Sequence, residues 1–291
     1  MNGILLIDKP AGWTSSDVVA KLRGILHERR IGHSGTLDPM ATGLLIVFVG
    51  RATRAVEFAE SHEKRYLASL RPGLITDTQD TTGTRLGEIE RPVSAEELEA
   101  ILPRFRGEIR QIPPMYSAIK VKGQKLYEIA RRGGEVERAP RSVTIRELRL
   151  LGREGQDFLL DVTCSKGTYI RTLCHDIGAA LGCGACMSAL RRVRAGDFSL
   201  ESAHTLEEVQ SAADENRVET LLLPVDALFE RCPALVLNVA EERRIRVGAA
   251  IPRPEAEGEY RLYGAEGAFL ALGSTQNGEL RSIKSFFEVS T

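Results

Sequence analysis

One carboxylate, that of Asp38, lies in a segment whose composition suits chemistry. Residues 32–45 read GHSGTLDPMATGLL, so glycines and small hydroxyl residues surround Asp38. Glycines let a ligand approach the backbone closely, and Pro39 restrains Asp38 to an extended conformation. A carboxylate in such a segment is exposed yet rigidly held, as a nucleophile or general base must be. On spacing alone, an ordinary Asp-Pro turn is the more frequent explanation.

The elements around Asp38 follow from apolar periodicity and end signals. Residues 31–43 predict a polar loop, and LLIVFV after it predicts a buried central strand. A helix precedes the loop, with Ser15 or Ser16 as its N-cap. A capping box of Ser94 and Glu97 begins another helix. Strands are predicted at 3–8, 64–70 and 158–164, a polar loop at 76–84, and helices at 125–132, 169–181 and from Leu206 to near Pro224.

The end of the chain changes character after Phe229. Short strand-like runs separated by glycines occupy 235–239, 260–263, 268–273 and 282–289. This pattern predicts a small β-rich domain at 230–291, after a larger domain at 1–229.

Composition excludes several classes of protein. The 291 residues are 43% hydrophobic, as in a globular protein with a real core. No apolar run reaches the roughly 20 residues of a membrane span, and the N-terminus predicts a strand and not a signal peptide. Five scattered cysteines indicate free thiols in a reducing compartment. Cys183 and Cys186 form a CxxC without a second ligand pair, so we expect buried structural residues and no zinc.

Positive charge is concentrated in one segment. The whole chain has a net charge of −1, but residues 104–146 carry eleven Lys and Arg against four Glu. The segment is therefore +7 and the remainder −8. A neutral protein with such a basic segment can bind a polyanion locally. Pro113-Pro114, Gly133-Gly134 and Pro140 predict that this segment is largely irregular.

Five blocks of the sequence resemble the TruB family of tRNA pseudouridine-55 synthases. They follow one another in the family's order over roughly residues 3–198, and chance does not explain such agreement. Ser34 replaces the usual threonine, and Cys186-Met187 replaces a bulkier pair. The blocks are LLIDKPAGWTSSDVV, GHSGTLDPMATGLL, KRYLASLRPGLITDTQDTTG, IPPMYSAIKVKGQKLYEIARRG and CSKGTYIRTLCHDIGAALGCGACMSALRRVRAG.

The resemblance implies an α/β fold of the α+β type, with a mixed, mostly antiparallel sheet, flanking helices and a C-terminal PUA-like domain. It implies isomerisation of uridine 55 in the T loop of tRNA by an enzyme that flips the base out of the RNA. Asp38 is then the nucleophile, attacking either the sugar or the base. Tyr66 stacks on the base and is also a candidate proton acceptor, and Arg171 pairs with Asp38. Without the resemblance, Tyr66 would be read as a packing residue and Arg171 as an ordinary helix-face arginine.

The same resemblance implies binding residues. Substrate contacts are expected from Lys9, His33, Thr36, Tyr169 and Leu190, although Lys9 also suits a structural role, His33 an ordinary loop position and Leu190 the core. A mobile thumb at about 104–146 is expected to bind RNA. A solvated charged loop is the alternative for this thumb, whose predicted contacts are Lys120, Lys122, Lys125, Arg131, Arg132, Arg138 and Arg141.

The remaining expectations concern partners and rivals. The resemblance implies a cytoplasmic monomer that needs no metal or cofactor. It also implies that the protein binds the T loop and the acceptor stem of tRNA. One rival is an RNA chaperone or binding module without catalysis, which would not need Asp38, Tyr66 and Arg171 together. Another is a glycosidase-like hydrolase with two carboxylates. The loop around Asp38 offers no second carboxylate for it.

Overall fold

The computed structural model describes residues 1–60, 63–117, 119–121 and 123–287, with the backbone alone at Lys120 and Lys125. The strands are β1 Gly3–Lys9, β2 Ile31–Ser34, β3 Thr42–Val49, β4 Lys64–Pro72, β5 Leu74–Thr76, β6 Arg85–Glu88, β7 Gly107–Gln111, β8 Lys120–Val121, β9 Gln124–Lys125, β10 Arg141–Glu154, β11 Asp157–Cys164, β12 Ala185–Ala195, β13 Phe198–Ser199, β14 Ala234–Val236, β15 Ile251–Pro252, β16 Gly258–Tyr263, β17 Phe269–Gln276 and β18 Glu279–Ser285. The α-helices are α1 Ser15–Leu26, α2 Val56–Glu60, α3 Ala95–Ile101, α4 Leu126–Arg131, α5 Ile170–Leu181, α6 Leu206–Asp214 and α7 Val239–Arg246.

A nine-stranded sheet forms the centre of the larger part of the molecule. Its order is β1-β3-β12-β4-β11-β10-β7, with β2 beside β3 and β13 beside β12. The pairs are antiparallel except for β12 with β3, which run parallel at Thr42 and Gly43. The predicted mixed, mostly antiparallel sheet with flanking helices is confirmed.

Apolar side chains cover both faces of this sheet. Alternate residues of β1 and β3, such as Ile7 and Val47, share a core with α1 and α6. The intervening residues, such as Ile4 and Phe48, pack toward the C-terminal part of the chain. Farther along the sheet, β4 and β11 pack against α3 and α5. This last core lies beneath the segment that carries Asp38, because Leu37 belongs to it.

The predicted C-terminal β-rich domain is also present. Its five strands have the order β14-β16-β17-β18-β15. Phe229, at the end of the larger part, meets Phe269 and Phe286 of the small sheet at ring-centroid distances of 6.2 and 6.0 Å. Lys284 donates to Glu57 at 2.6 Å, which adds an ion pair across the same junction.

Several local predictions were wrong at their boundaries. Thr14, and not Ser15 or Ser16, caps α1, because its hydroxyl and Asp17 form the capping box. The predicted loop at 31–43 contains β2, so His33 lies on a strand. The helix expected to reach Pro224 ends at Asp214.

The basic segment is less irregular than its composition predicted. Its first part contains β7, and its last part begins β10, and both strands belong to the main sheet. The described residues between β7 and β10 lie outside that sheet. The short helix predicted within them is present as α4, and the capping box predicted at Ser94 is present on α3.

Two further predictions concern the cysteines and the absence of a membrane-spanning helix. Cys183 and Cys186 are free and buried, as expected of structural residues. Across the described ranges, the helices are too short or too polar to cross a membrane.

Candidate active site

Asp38 begins a tight turn in the connection between β2 and β3. The backbone N–H of Ala41 donates to the Asp38 carbonyl at 3.0 Å, with Pro39 at the second position of the turn. The Ser15 hydroxyl accepts from the Leu37 N–H at 3.0 Å and donates to the Leu37 carbonyl at 3.3 Å. The Asp-Pro turn therefore exists, and α1 holds it in place while 35% of the Asp38 side chain stays exposed.

Arg171 joins three segments at this carboxylate. Its Nε lies 2.9 Å from Asp38 Oδ2, and its Nη2 donates to Asp38 Oδ1 at 3.3 Å. The same guanidinium donates to the carbonyls of Thr78 at 3.1 Å and Tyr116 at 2.7 Å. Because the arginine side chain is only 5% exposed, its fork is fixed and sets the orientation of the carboxylate.

Sequence analysis missed Asp80, a second carboxylate at this site. Its Oδ2 lies 3.6 Å from Arg171 Nη1, and its side chain is 5% exposed. Its Oδ1 accepts from the hydroxyls of Thr78 at 2.8 Å and Thr82 at 2.6 Å, and from the Thr82 N–H at 2.9 Å. The predicted loop at 76–84 thus holds a buried acid against the arginine. The TDTQDTT string offered this signal, since hydroxyls two residues either side of an aspartate readily bond to it.

Competing effects act on the Asp38 carboxyl. Burial raises its pKa above the ordinary value, while the Arg171 guanidinium acts to lower it and the Asp80 carboxylate raises it further. The net direction is upward. A carboxylate that is partly desolvated and oriented by one arginine is a better nucleophile than a fully hydrated one.

Tyr66 and Leu190 lie on the adjacent strands β4 and β12, in the core beneath the turn. Tyr66 on β4 is 9% exposed and Leu190 on β12 is 8% exposed, and both belong to the core that includes Leu37. Burial raises the pKa of the Tyr66 hydroxyl, so the phenol is neutral near pH 7. An aromatic ring and an apolar side chain in this place can receive the face and edge of a planar base.

The other predicted binding residues border the same turn. Thr36 is exposed two residues before the turn begins, and His33 lies farther upstream on β2. Burial lowers the pKa of His33, and its Nδ1 has no hydrogen-bond partner among the described residues. Tyr169 is half-buried and caps α5, two residues before Arg171. The buried Gln111 side chain, which sequence analysis also missed, exchanges two hydrogen bonds with the Tyr169 backbone, at 3.0 and 3.2 Å.

Lys9 is the last residue of β1 and is fully buried. Its ammonium donates to the carbonyls of Pro10 at 2.8 Å, Trp13 at 2.7 Å and Pro39 at 3.3 Å. Burial lowers the pKa of Lys9 to about 8, against the opposing pull of Asp38. Its three donors are thus directed at backbone oxygens, one of which belongs to the residue after Asp38. These contacts favour the structural alternative for Lys9.

The predicted thumb residues occupy different environments. Lys122 lies outside the described residues, while Lys120 and Lys125 are on the paired strands β8 and β9. Arg131 and Arg132 are exposed at the end of α4, with Arg131 5.5 Å from the centre of the Tyr127 ring. Arg138 pairs with Glu135 at 3.4 Å. Arg141 is exposed on β10 and is therefore part of the main sheet.

Within the described ranges, no group of three or more His, Cys, Asp or Glu side chains is arranged to hold a metal ion. The structure brings together the Asp38 carboxylate, the Arg171 guanidinium and the neutral Tyr66 phenol.

Comparison with known proteins gives this geometry a family. Residues 23–170 match the model of the TruB family pseudouridylate synthase N-terminal domain, and residues 171–230 match that of the tRNA pseudouridylate synthase B C-terminal domain. The tRNA pseudouridine synthase B of Azoarcus sp. (strain BH72) is 47% identical over 97% of this chain and 93% of its own. The chain belongs to the TruB family. The corresponding enzyme of Cupriavidus metallidurans (strain ATCC 43123 / DSM 2839 / NBRC 102507 / CH34) is 45% identical over the same shares of the two chains.

Solved structures agree with the TruB assignment at the level of the fold. A chain in the crystal structure of a Cbf5-Nop10-Gar1 complex superposes with a TM-score of 0.74, at 27% identity, covering 98% of this chain and 85% of that one. The second TruB family model begins at Arg171, and its range contains β12 and all but the first residue of α5. Both matched ranges therefore contribute to the nine-stranded sheet and to the site.

Proposed function

We propose that this TruB family protein isomerises uridine 55 in the T loop of tRNA to pseudouridine, with Asp38 as the nucleophile. The observation that carries the proposal is the pairing of a partly exposed Asp38 carboxylate with the buried Arg171 guanidinium, at 2.9 Å. The buried Tyr66 and Leu190 beneath the turn form a floor for a base. The relatives named tRNA pseudouridine synthase B support the choice of tRNA as substrate.

The reaction makes limited demands on the protein. The flipped uridine rests on Tyr66, and a carboxylate oxygen of Asp38 bonds to its ribose or its base. The N-glycosidic bond breaks, the uracil turns, and carbon 5 bonds to the sugar. Carbon 5 loses its proton, N1 gains one, and the bond to Asp38 breaks, which restores the carboxylate. Because the product is an isomer of the substrate, no redox partner or group donor is consumed. Arg171 keeps the carboxylate oriented throughout, since its buried fork is fixed by four protein oxygens.

RNA binding extends beyond the uridine in this proposal. Exposed Arg131 and Arg132 on the thumb contact phosphates near the T loop. The C-terminal domain is PUA-like, begins near residue 230 and contacts the acceptor stem. The protein acts as a monomer in the cytoplasm, where tRNA is available as substrate.

The surroundings of the Asp80 carboxylate argue against the hydrolase alternative. A glycosidase needs a second carboxyl group that reaches the substrate as an acid or a base. The Asp80 carboxylate is 5% exposed and is occupied by Thr78, Thr82 and Arg171. It supports the arginine and does not face an incoming nucleoside. The geometry therefore favours isomerisation over hydrolysis.

The test is incubation of the purified protein with unmodified tRNA that carries tritium at C5 of uridine. The proposal predicts release of one tritium per tRNA, pseudouridine at position 55 after nuclease digestion, and no free uracil. An RNA chaperone would bind the tRNA without releasing tritium. A hydrolase would yield free uracil by chromatography. Either result would overturn the proposal.

A further inference from the structure

Arg192 is the largest of the fully buried side chains, with 1% of its surface exposed. It lies on β12 between two strands that matter to the site. Its backbone pairs with Tyr66 of β4 on one side and with Gly43 of β3 on the other. Gly43 in turn pairs with Lys9 of β1. Lys9, Gly43, Arg192 and Tyr66 therefore form one row of neighbours across the sheet, directly beside the connection that carries Asp38.

The sheet opens at this row. β3 pairs with β12 only at Thr42 and Gly43, and it pairs with β2 only from Ile46 onward. Leu44 lies between the two pairings. Arg192 Nε donates to the Leu44 carbonyl at 2.7 Å, and its Nη2 donates to the Gly35 carbonyl at 2.8 Å. One guanidinium thus supplies donors to two backbone oxygens at the opening, where an unpaired buried carbonyl would destabilise the fold.

The carbonyls of Gly35 and Leu44 lie on either side of Asp38 in the sequence. Gly35 follows the last residue of β2, Leu44 is the third residue of β3, and Asp38 lies between them. Gly35 and Gly43, the two glycines of this segment, leave space that Arg192 occupies. A Cβ on Gly43, whose φ is +94°, would lie 2.3 Å from the Arg192 carbonyl oxygen. A Cβ on Gly35, whose φ is +67°, would lie 3.1 Å from Arg192 Nη1.

Charge gives Arg192 a second effect on the site. Its guanidinium donates to the carbonyls of Leu44 and Gly35 and lies within hydrogen-bonding reach of the Tyr66 hydroxyl, and among the described residues it forms no ion pair with a carboxylate. The uncompensated guanidinium lowers the pKa of the neighbouring Lys9 and His33, and it opposes the rise that burial causes in the pKa of Tyr66. An arginine keeps its charge where a buried lysine would lose it.

We propose that Arg192 is a positioning residue: its buried guanidinium ties together both ends of the segment that carries Asp38 and so sets the place of the carboxylate above Tyr66. Arg192 does not reach the substrate, because its side chain is enclosed. The inference rests on the proposed function. Arg192 is the second arginine of the ALRR string, two residues after Leu190.

The first test compares Arg192→Lys with Arg65→Lys. Arg65 lies beside Tyr66 on β4, but its guanidinium pairs with Asp161 away from the turn. A lysine at position 192 lacks the fork that reaches two carbonyls at once. We expect R192K to lower the single-turnover rate of pseudouridine formation by about 10- to 100-fold, the loss typical of a nucleophile displaced by about 1 Å. Affinity for tRNA should match that of R65K.

A pH profile separates positioning from a purely structural role. If the turn shifts, Asp38 loses part of its contact with Arg171, and the acid limb of the R192K rate moves to higher pH. A rate and a limb equal to those of R65K would overturn the inference. A rate loss that only follows the loss of folded protein, measured by circular dichroism, would overturn it as well.

A second variant keeps the test informative if R192K folds poorly. Gly35→Ala places a methyl group against the guanidinium, whereas Gly155→Ala has a similar positive φ of +57° with nothing within 4 Å. We expect both variants to lose similar thermal stability and only G35A to lose rate. Equal rates would contradict the inference. Wild-type protein that forms no pseudouridine would instead refute the proposed function, so the two failures are distinguishable.

Discussion

At the scale of single residues, Arg171 organises the site. Its guanidinium contacts the carboxylate of Asp38, lies near that of Asp80, and holds the carbonyls of Thr78 and Tyr116. The positive charge of this buried arginine offsets part of the negative charge of the two carboxylates. The nucleophile is therefore oriented by a group that has little freedom to move.

The raised pKa of Asp38 predicts an acid limb in the rate of catalysis. The ionised carboxylate is the reactive form, so the single-turnover rate should fall about tenfold per pH unit below that pKa. Because burial raises the pKa, the limb should lie above pH 3.9, the ordinary value for aspartate. Quench-flow measurements of tritium release from pH 4.5 to 8 test this.

A control follows from the cause of the shift. Arg171 holds the pKa down against burial, so Arg171→Met should move the limb to still higher pH. A limb that stays in place in this variant would show that another group titrates.

Replacement of Asp80 should lower the rate through Arg171. In Asp80→Asn, the arginine loses the second carboxylate and the hydrogen bonds from Thr78 and Thr82 weaken. We expect a loss of about 10- to 100-fold in the single-turnover rate, as for other partners of a catalytic group, with unchanged tRNA affinity. Asp77→Asn is the matched control in the same loop, because the Asp77 carboxylate accepts from the Thr84 N–H and the Tyr116 hydroxyl and has no ion pair with Arg171 among the described residues. Equal losses in both variants would point to general loop damage.

At the scale of elements, α1 and α5 hold the segment of the proposed nucleophile. α1 contributes Ser15 and α5 contributes Arg171, and the Tyr116 carbonyl of the thumb accepts a hydrogen bond from Arg171. The thumb is thus bonded to the same arginine that orients Asp38. The hydrogen bond between Arg171 and the Tyr116 carbonyl therefore connects the proposed RNA-binding thumb to the arginine that orients Asp38.

Neutralising the thumb arginines should weaken RNA binding and flatten its salt dependence. Arg131, the last residue of α4, and Arg132, which follows it, are both exposed. Their double change to Gln should make the slope of log K against log salt shallower by about 1.4 to 1.8, since each lost phosphate contact removes about 0.7 to 0.9. The control changes Arg149 and Arg217 to Gln, two exposed arginines outside the thumb. Filter binding at several salt concentrations gives both slopes, and identical slopes would remove the thumb assignment.

The elements near the site were predictable where local rules decide them. The apolar run LLIVFV became β3, and Ser94 with Glu97 became a capping box, because each depends on neighbouring residues. The strand β2 was missed because IGHS has little apolar periodicity of its own and pairs with β3 only through the tertiary fold. The capping residue of α1 was misplaced by one or two positions, since three consecutive hydroxyl residues compete for it.

Site residues divide in the same way. Asp38, Tyr66 and Arg171 were found through their motifs, and the structure brings Asp38 and Arg171 together from positions 133 residues apart. Asp80, Gln111 and Arg192 escaped because their roles depend on contacts between distant segments. A buried arginine in ALRR reads as a surface residue until the strand that buries it is known.

At the scale of the whole molecule, a shared aromatic core joins the C-terminal domain to the larger part of the molecule. Phe229 packs against Phe58 edge-to-face at 5.3 Å and against Phe269 and Phe286 of the small sheet. Tyr263 also donates to Asp226 at 2.5 Å. These contacts fix the distance from Asp38 to the surface proposed to meet the acceptor stem.

Removing the Phe229 ring should destabilise both parts together. Phe229→Ala leaves a cavity in this core, and we expect the free energy of unfolding to fall by about 3–5 kcal/mol. Leu86→Ala, at an exposed position, should change it by less than about 0.5 kcal/mol. Urea unfolding followed by circular dichroism and by the fluorescence of Trp13, in the larger part, tests the coupling. Non-coincident wild-type transitions would show that the two parts unfold independently.

The most direct test of the account is Asp38→Asn under single-turnover conditions with tritiated tRNA. The amide keeps the shape of the side chain but removes the nucleophilic charge. We predict a fall in tritium release of at least about 10⁴-fold, the scale seen when a nucleophile is removed, with tRNA affinity close to that of the wild type. An Asp38→Asn protein that binds tRNA and still forms pseudouridine at the wild-type rate would contradict the account.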